Sequence, residues 1–253
     1  MVWTVKESNL LTAIRKGSIS EINQAIQDGA DVNATDNGGW TPLTCALHHE
    51  ASIEVIKLLI AKDANVNATD NYGWTPLMFA CANKAPKEVI ELLIDKDANV
   101  NAKTNGGRTP LMVACVNKAP KEVIELLIAK GAKVNAKDND GLTPLMVACD
   151  NKASKEVIEL LIAKDADVNA KAKDGWTPLM FVADNKASKE VIELLKEAPF
   201  TALKADLAKS KQENANLQQK IDELTAQIAY NNFRAKKKEK QRMTYLMLGK
   251  YRH

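Results

Sequence analysis

Gly73-Trp-Thr-Pro-Leu77 is one of five copies of a phrase, Gly-x-Thr-Pro-Leu, whose glycines are Gly39, Gly73, Gly107, Gly141 and Gly175. Each copy lies 34 residues after the last. A fixed period of that size marks a stacked array of modules, each covering the apolar face of its neighbour, rather than one globule with a single core. The 253 residues therefore count repeats, not domains.

One copy can be read mechanically from the phrase onward. Thr75 is placed to cap a first helix, and Pro76 fits the next position because its missing N–H has no partner there. Leu77, Ala80 and Cys81 fall at i, i+3, i+4 spacing and give that helix a narrow apolar stripe, with small residues that allow close helix contact. Pro86 marks a second start. Val89, Ile90, Leu92, Leu93 and Ile94 then make a helix that is apolar on more than one side, as expected of an element covered by both neighbouring copies. Asp97 and Ala98 end it, and a polar hairpin leads to Gly107.

Thr-Pro-Leu, then Glu-Val-Ile-x-Leu-Leu-Ile, then Ala-Asn-Val-Asn-Ala, recurring in step over roughly residues 5 to 198, resembles the ankyrin repeat. The resemblance implies an all-α solenoid of antiparallel helix pairs joined by hairpin loops. Its six units fall at about 5–37, 38–71, 72–105, 106–139, 140–173 and 174–197. It also implies a non-catalytic scaffold or adaptor that binds a protein on its concave face. Three departures from the family pattern stand out. The period is one longer than the usual 33 or so, and the extra residue falls in the inter-helix turn, Asn83 to Lys87. The histidine that usually follows Thr-Pro-Leu is Thr44, Met78, Met112, Met146 or Met180. The glycine that usually ends helix two survives as Gly29 and Gly131 but is Asp63, Asp97 and Asp165 elsewhere, a less comfortable residue for the left-handed conformation.

The end units differ from the rest. The first lacks Thr-Pro-Leu, keeps a short turn at Gly17 and sets Ser20, Asn23 and Gln24 among Ile19, Ile22 and Ile26, as a cap with a wet outer face should. The sixth stops after helix two with an apolar Val191-Ile-Glu-Leu-Leu195, which leaves a face open unless Phe200, Leu203 and Leu207 or a second chain cover it.

Composition narrows the function. With 45% hydrophobic and 26% charged residues and no apolar run near the roughly 18 that span a bilayer, no transmembrane segment is expected. The start shows no basic leader followed by an apolar stretch, which fits a cytoplasmic protein and leaves export by a non-classical route open. Cys81, Cys115 and Cys149 share one column, with Cys45 two places earlier in its own copy. Stacked helices about 8 to 10 Å apart are too distant for disulfides, so these read as small buried residues. Cys45, His48 and His49 have a spacing that can face one metal, but no fourth ligand accompanies them, and neither metal nor cofactor is expected. No nucleophile with a base and no glycine-rich phosphate loop is present, so no catalytic residue is assigned.

Residues 199–253 hold 12 Lys/Arg against 5 Asp/Glu, a surplus of +7, which leaves −4 for the preceding 198 residues. Residues 199–230 read as a coiled-coil-like helix, with Leu207, Asn214, Ile221 and Ile228 at a and Leu203, Ser210, Leu217 and Leu224 at d. That pattern suits a parallel homodimer through 203–228, with Asn214 fixing the register. Packing back on the array or pairing with a partner's helix are the alternatives. Residues 231–253 form a basic tail whose Arg234, Lys236, Lys237, Lys238, Lys240 and Arg242 suit nucleic acid, anionic lipid or an acidic protein, or simply stay solvated. The chain as a polyanion binder acting through this tail, or as a subunit of a larger assembly, is the competing function.

Where near-identical copies differ, each position has been set separately. Those columns lie at the hairpin tip and the end of helix one: Trp40, His48 and His49; Tyr72 and Trp74; Arg108 and Val116; Leu142 and Asp150; Trp176 and Asp184. Trp, Tyr and Arg dominate interface energetics, so these residues are the candidate protein-binding row. The other reading is that each Trp packs on its own hairpin.

Overall fold

The computed structural model describes residues 3–185, 188–198, 207–225 and 227. It is all-helical, and among the described residues there is no strand. Eleven helices are α1 Val5–Lys16, α2 Ile19–Gln27, α3 Pro42–His48, α4 Ile53–Ala61, α5 Pro76–Ala82, α6 Lys87–Asp95, α7 Pro110–Val116, α8 Lys121–Ala129, α9 Pro144–Asp150, α10 Lys155–Ala163 and α11 Pro178–Asp184. Two more follow, α12 over 189–198 and α13 over 207–225. The first twelve pair antiparallel into six units, and the chain divides after Ala198.

Every first helix after unit one starts in the same way. The hydroxyl of Thr75 accepts from the Met78 N–H at 3.4 Å, and Pro76 occupies the first turn. Thr41 and Thr44 close a reciprocal box, with the Thr41 N–H donating to Thr44 Oγ1 at 2.8 Å. These helices are only seven residues long, too short to persist alone in water. They persist because Pro110, Leu111, Met112, Val113, Ala114 and Cys115 are all buried between neighbours. Each fully buried Leu or Met in such a stack contributes about 1.5–3 kcal/mol.

The extra residue of the 34-residue period follows a left-handed helix end that the first unit also has, at Gly17 with φ 70°. Lys84, Lys118 and Lys152 adopt φ of 52°, 52° and 53°, and Glu50 has φ 55°. They end helix one in the left-handed conformation, and the next N–H reaches back, as from Ala85 to the Ala80 carbonyl at 2.9 Å. At the ends of helix two, Asp63, Asp97 and Asp165 take φ of 62°, 65° and 62°, doing without glycine what Gly131 does at 91°.

The units are also sewn together by asparagines. Asn67 Nδ2 donates to the Asp97 carbonyl at 2.8 Å while its Oδ1 accepts from the Asn99 N–H at 2.8 Å, so one side chain secures the left-handed helix end of the next unit. Asn33, Asn101 and Asn135 repeat the arrangement. A second ladder runs along the hairpin tips, from Asn71, Asn105 and Asn139 to the carbonyls of Asn37, Asn71 and Asn105 at 2.8–2.9 Å. The four cysteines are free and buried. Burial pushes the Cys45 thiol up to about 11 and those of Cys115 and Cys149 to about 12, so none is a nucleophile at neutral pH.

The two ends of the array behave differently. Ile19 on the first unit is 39% exposed beside exposed Ser20, whereas Ile22 is fully buried. In the Met78 column, Met78, Met112 and Met146 are all 0% exposed, but Met180 is 51% exposed, because among the described residues no further helix pair is stacked on the sixth.

Candidate protein-binding face

The hairpin tips are built so that the residue after each phrase glycine is aimed, not floppy. Asp70 Oδ1 accepts from the Tyr72 N–H at 2.9 Å and from the Trp74 N–H at 2.7 Å. Asp36 holds Gly38 and Trp40 in the same way, and Asp138 holds Asp140 and Leu142. At the hairpin leading into the fourth unit Thr104 replaces the Asp and accepts from the Arg108 N–H at 3.1 Å. The hairpin leading into the sixth unit has Ala172 there, and Asp174 Oδ1 takes the Trp176 N–H at 3.0 Å instead.

This backbone brings some of the row together and leaves the rest apart. Trp40 lies edge-on to His48 of its own unit and to Phe79 of the next, with ring centroids 4.8 Å away in both cases. Trp74 completes the group, its ring 5.4 Å from Phe79. His49 follows at 5.2 Å from His48, and partial desolvation, then Arg15 and His48, hold its imidazole below the usual range. The second and third units thus carry a continuous run of rings, Trp74–Phe79–Trp40–His48–His49. Tyr72 stands at the hairpin tip beside it, 71% exposed. Cys45 turns its thiol into the core while His48 and His49 stay exposed, so the three do not converge.

Arg108 continues the row as a charge. Its Nε lies 3.9 Å from Asp138 Oδ2, a carboxylate only 2% exposed, while the guanidinium side chain is 47% exposed. Val116 and Leu142 are half-buried and pack on the core, and Asp150 is exposed. Trp176 is half-buried against Phe181 at 5.0 Å, away from the unit-two and unit-three rings, and Asp184 is exposed. Phe79, which no motif singles out, is the residue that links Trp40 to Trp74. Its column, Cys45, Phe79, Val113, Val147 and Phe181, also differs between copies, and that was the available signal.

Models of tandem ankyrin repeats match residues 10–104, 55–138, 85–172 and 111–210. The chain belongs to the ankyrin-repeat family. No curated protein matches it. Ankyrin repeats indicate a protein–protein interaction domain.

Among the described residues no helix is long and apolar enough to cross a membrane, and no group of three His, Cys, Asp or Glu is placed to hold a metal ion. On α13, Leu207, Leu217, Ile221 and Leu224 are 54–63% exposed, and Asn214 is exposed with them. Leu203, Ile228 and the tail residues Arg234, Lys236, Lys237, Lys238, Lys240 and Arg242 lie outside the described residues.

Proposed function

We propose that this chain is a non-catalytic adaptor that grips a protein partner on the face formed by its hairpin tips and first helices. The ring run of units two and three would be the anchor and Arg108 the adjoining polar contact. The observation that carries the reading is the exposure of Tyr72 beside that run. A large aromatic held in place by an Asp-closed turn brings apolar area to an interface at little entropic cost. The test is affinity capture from cell extract by the full chain and by a Tyr72→Ala/Arg108→Glu variant, both substitutions lying on exposed side chains. A partner captured by the parent should be retained about tenfold less or worse by the variant. Equal capture by a variant with an unchanged melting curve overturns the reading.

A second feature supports self-association. The outward side of α13 is laced by i,i+4 bonds, Gln212 to Asn216, Gln218 to Asp222 and Gln219 to Glu223, at 2.9–3.2 Å. Its Leu207, Leu217, Ile221 and Leu224 are exposed, and a 19-residue helix with an exposed Leu/Ile stripe is marginal by itself. A parallel pair would set two Asn214 side chains against each other and present two arrays to one target. Sedimentation at micromolar concentration should show a dimer for the parent and a monomer for Leu217→Asp/Ile221→Asp. A monomeric parent discards this role and leaves the array's role untouched.

A further inference from the structure

At the opposite ends of the helices from the hairpins, the inter-helix turns of adjacent units leave grooves between them. One, of about 340 Å³, separates the fourth and fifth units and has Cys115, Ala119, Ile124 and Val157 among its apolar lining. Its remaining lining includes Lys118, Lys121 and Lys152. The next, of about 330 Å³, separates the fifth and sixth units and shares Lys152, Ala153 and Ser154 with the first, so the two grooves flank one turn. Its apolar lining includes Ile158, Val182 and Val191, and Lys155 stands on its rim.

Among the described residues no carboxylate lines either groove. Lys155 is engaged by Glu159 at 3.4 Å, but among the described residues Lys118, Lys121 and Lys152 make no ion pair. Glu156 stands nearby and feels Lys121 weakly, yet it is occupied by the Ser154 side chain. Lys118 and Lys152 occupy the left-handed position that ends the first helix of their units. A corresponding groove of about 440 Å³ between the second and third units has a similar apolar lining but opposite charge, with Glu50, Glu54 and Glu88 against Lys84. Glu50 occupies there the column of Lys118 and Lys152.

We propose that this basic-rimmed edge of units four to six is a second docking surface, one that takes an acidic extended peptide. One apolar side chain would enter each groove, with carboxylates beside Lys118, Lys121 and Lys152. The spacing agrees with this occupant. Stacked helices repeat every 8–10 Å or so, and one turn of an extended polyproline II chain, three residues rising about 3.1 Å each, covers the same distance and brings the side chain back to the same face. Two apolar residues three apart, flanked by Asp or Glu, therefore meet both grooves in one pass. A phosphodiester backbone would meet the lysines but leave the apolar lining unused.

The test uses the full chain and a fluorescein-labelled nonapeptide, Glu-Glu-Leu-Glu-Glu-Leu-Glu-Glu-Leu, read by fluorescence polarisation. Lys118→Glu/Lys152→Glu should weaken binding about tenfold or more, since the rim charges then repel the probe. The same variant should gain affinity for the probe with Lys in place of each Glu, which shows that it is folded and that the rim sets the sign. Lys236→Ala/Lys237→Ala/Lys238→Ala should leave the first probe bound. The proposal is overturned if the rim reversal has no effect, if only the tail variant loses binding, or if an all-Glu nonapeptide or a short single-stranded DNA binds at this rim as well as the Leu-bearing probe. A Tyr72→Ala/Arg108→Glu chain should bind the probe normally, which separates this surface from the hairpin face.

Discussion

Gly107→Ala is expected to destabilise the array by roughly 2–4 kcal/mol, from a positive-φ penalty and forced overpacking together. Gly107 has φ +81°, and a Cβ there would lie 2.7 Å from Asn139 Oδ1, 2.8 Å from the Asn139 nitrogen and 3.0 Å from Asp138 Cα. Those atoms belong to the next unit's hairpin, whose Asn139 N–H donates to the Gly106 carbonyl at 2.9 Å. The methyl group therefore pushes two units apart where they are hydrogen-bonded. Because stability in a stacked array is a sum of unit and interface terms, weakening one interface should split a single urea transition into two, one for each side of the break. Gly175→Ala is the internal comparison. Its φ is +88° but nothing lies within 4 Å of the added carbon, so only the backbone penalty of about 1–2 kcal/mol remains. Equal effects at the two positions would refute the account of close approach.

Asp138→Ala should cost roughly 2–3 kcal/mol, seen as a fall of several degrees in melting temperature. One carboxylate oxygen closes the hairpin by accepting from the Asp140 and Leu142 N–H groups, both at 2.9 Å, and the other faces Arg108 at 3.9 Å. Alanine leaves two hairpin donors with no acceptor and an arginine without its counter-charge. Asp138→Asn keeps an acceptor oxygen and should lose less than half as much. If alanine and asparagine behave alike, the carboxylate matters only as a charge beside Arg108. The Thr104 version of the turn, with a single acceptor contact to Arg108, shows that a weaker closure is tolerated one unit earlier.

Much of the candidate row was legible in the residues. The column Trp40, Trp74, Arg108, Leu142 and Trp176 stood out because it varies in a background of near-identical copies. Its division was not legible. Trp40 reaches Phe79, 39 positions away, and Trp176 instead packs on Phe181 of its own unit. Which ring meets which depends on the rotation of one unit relative to the next, and no spacing within one copy encodes that rotation. The unequal charge of the three grooves was present in the letters Glu50, Lys84, Lys118 and Lys152. It acquired meaning only when the turns were placed side by side.

The sequence by itself determined the period, the Thr-Pro helix starts, the small-residue stripe of the first helices and the left-handed ends at Asp63, Asp97 and Asp165. These are local requirements of backbone geometry and apolar spacing, and each is written within a few residues. Only the tertiary structure decided why the phrase begins with glycine, what the recurrent asparagines hold and why Met180 is wet while Met78, Met112 and Met146 are dry. Those are contacts between residues about one unit apart in the chain, and they exist only because one two-helix unit is laid against the next.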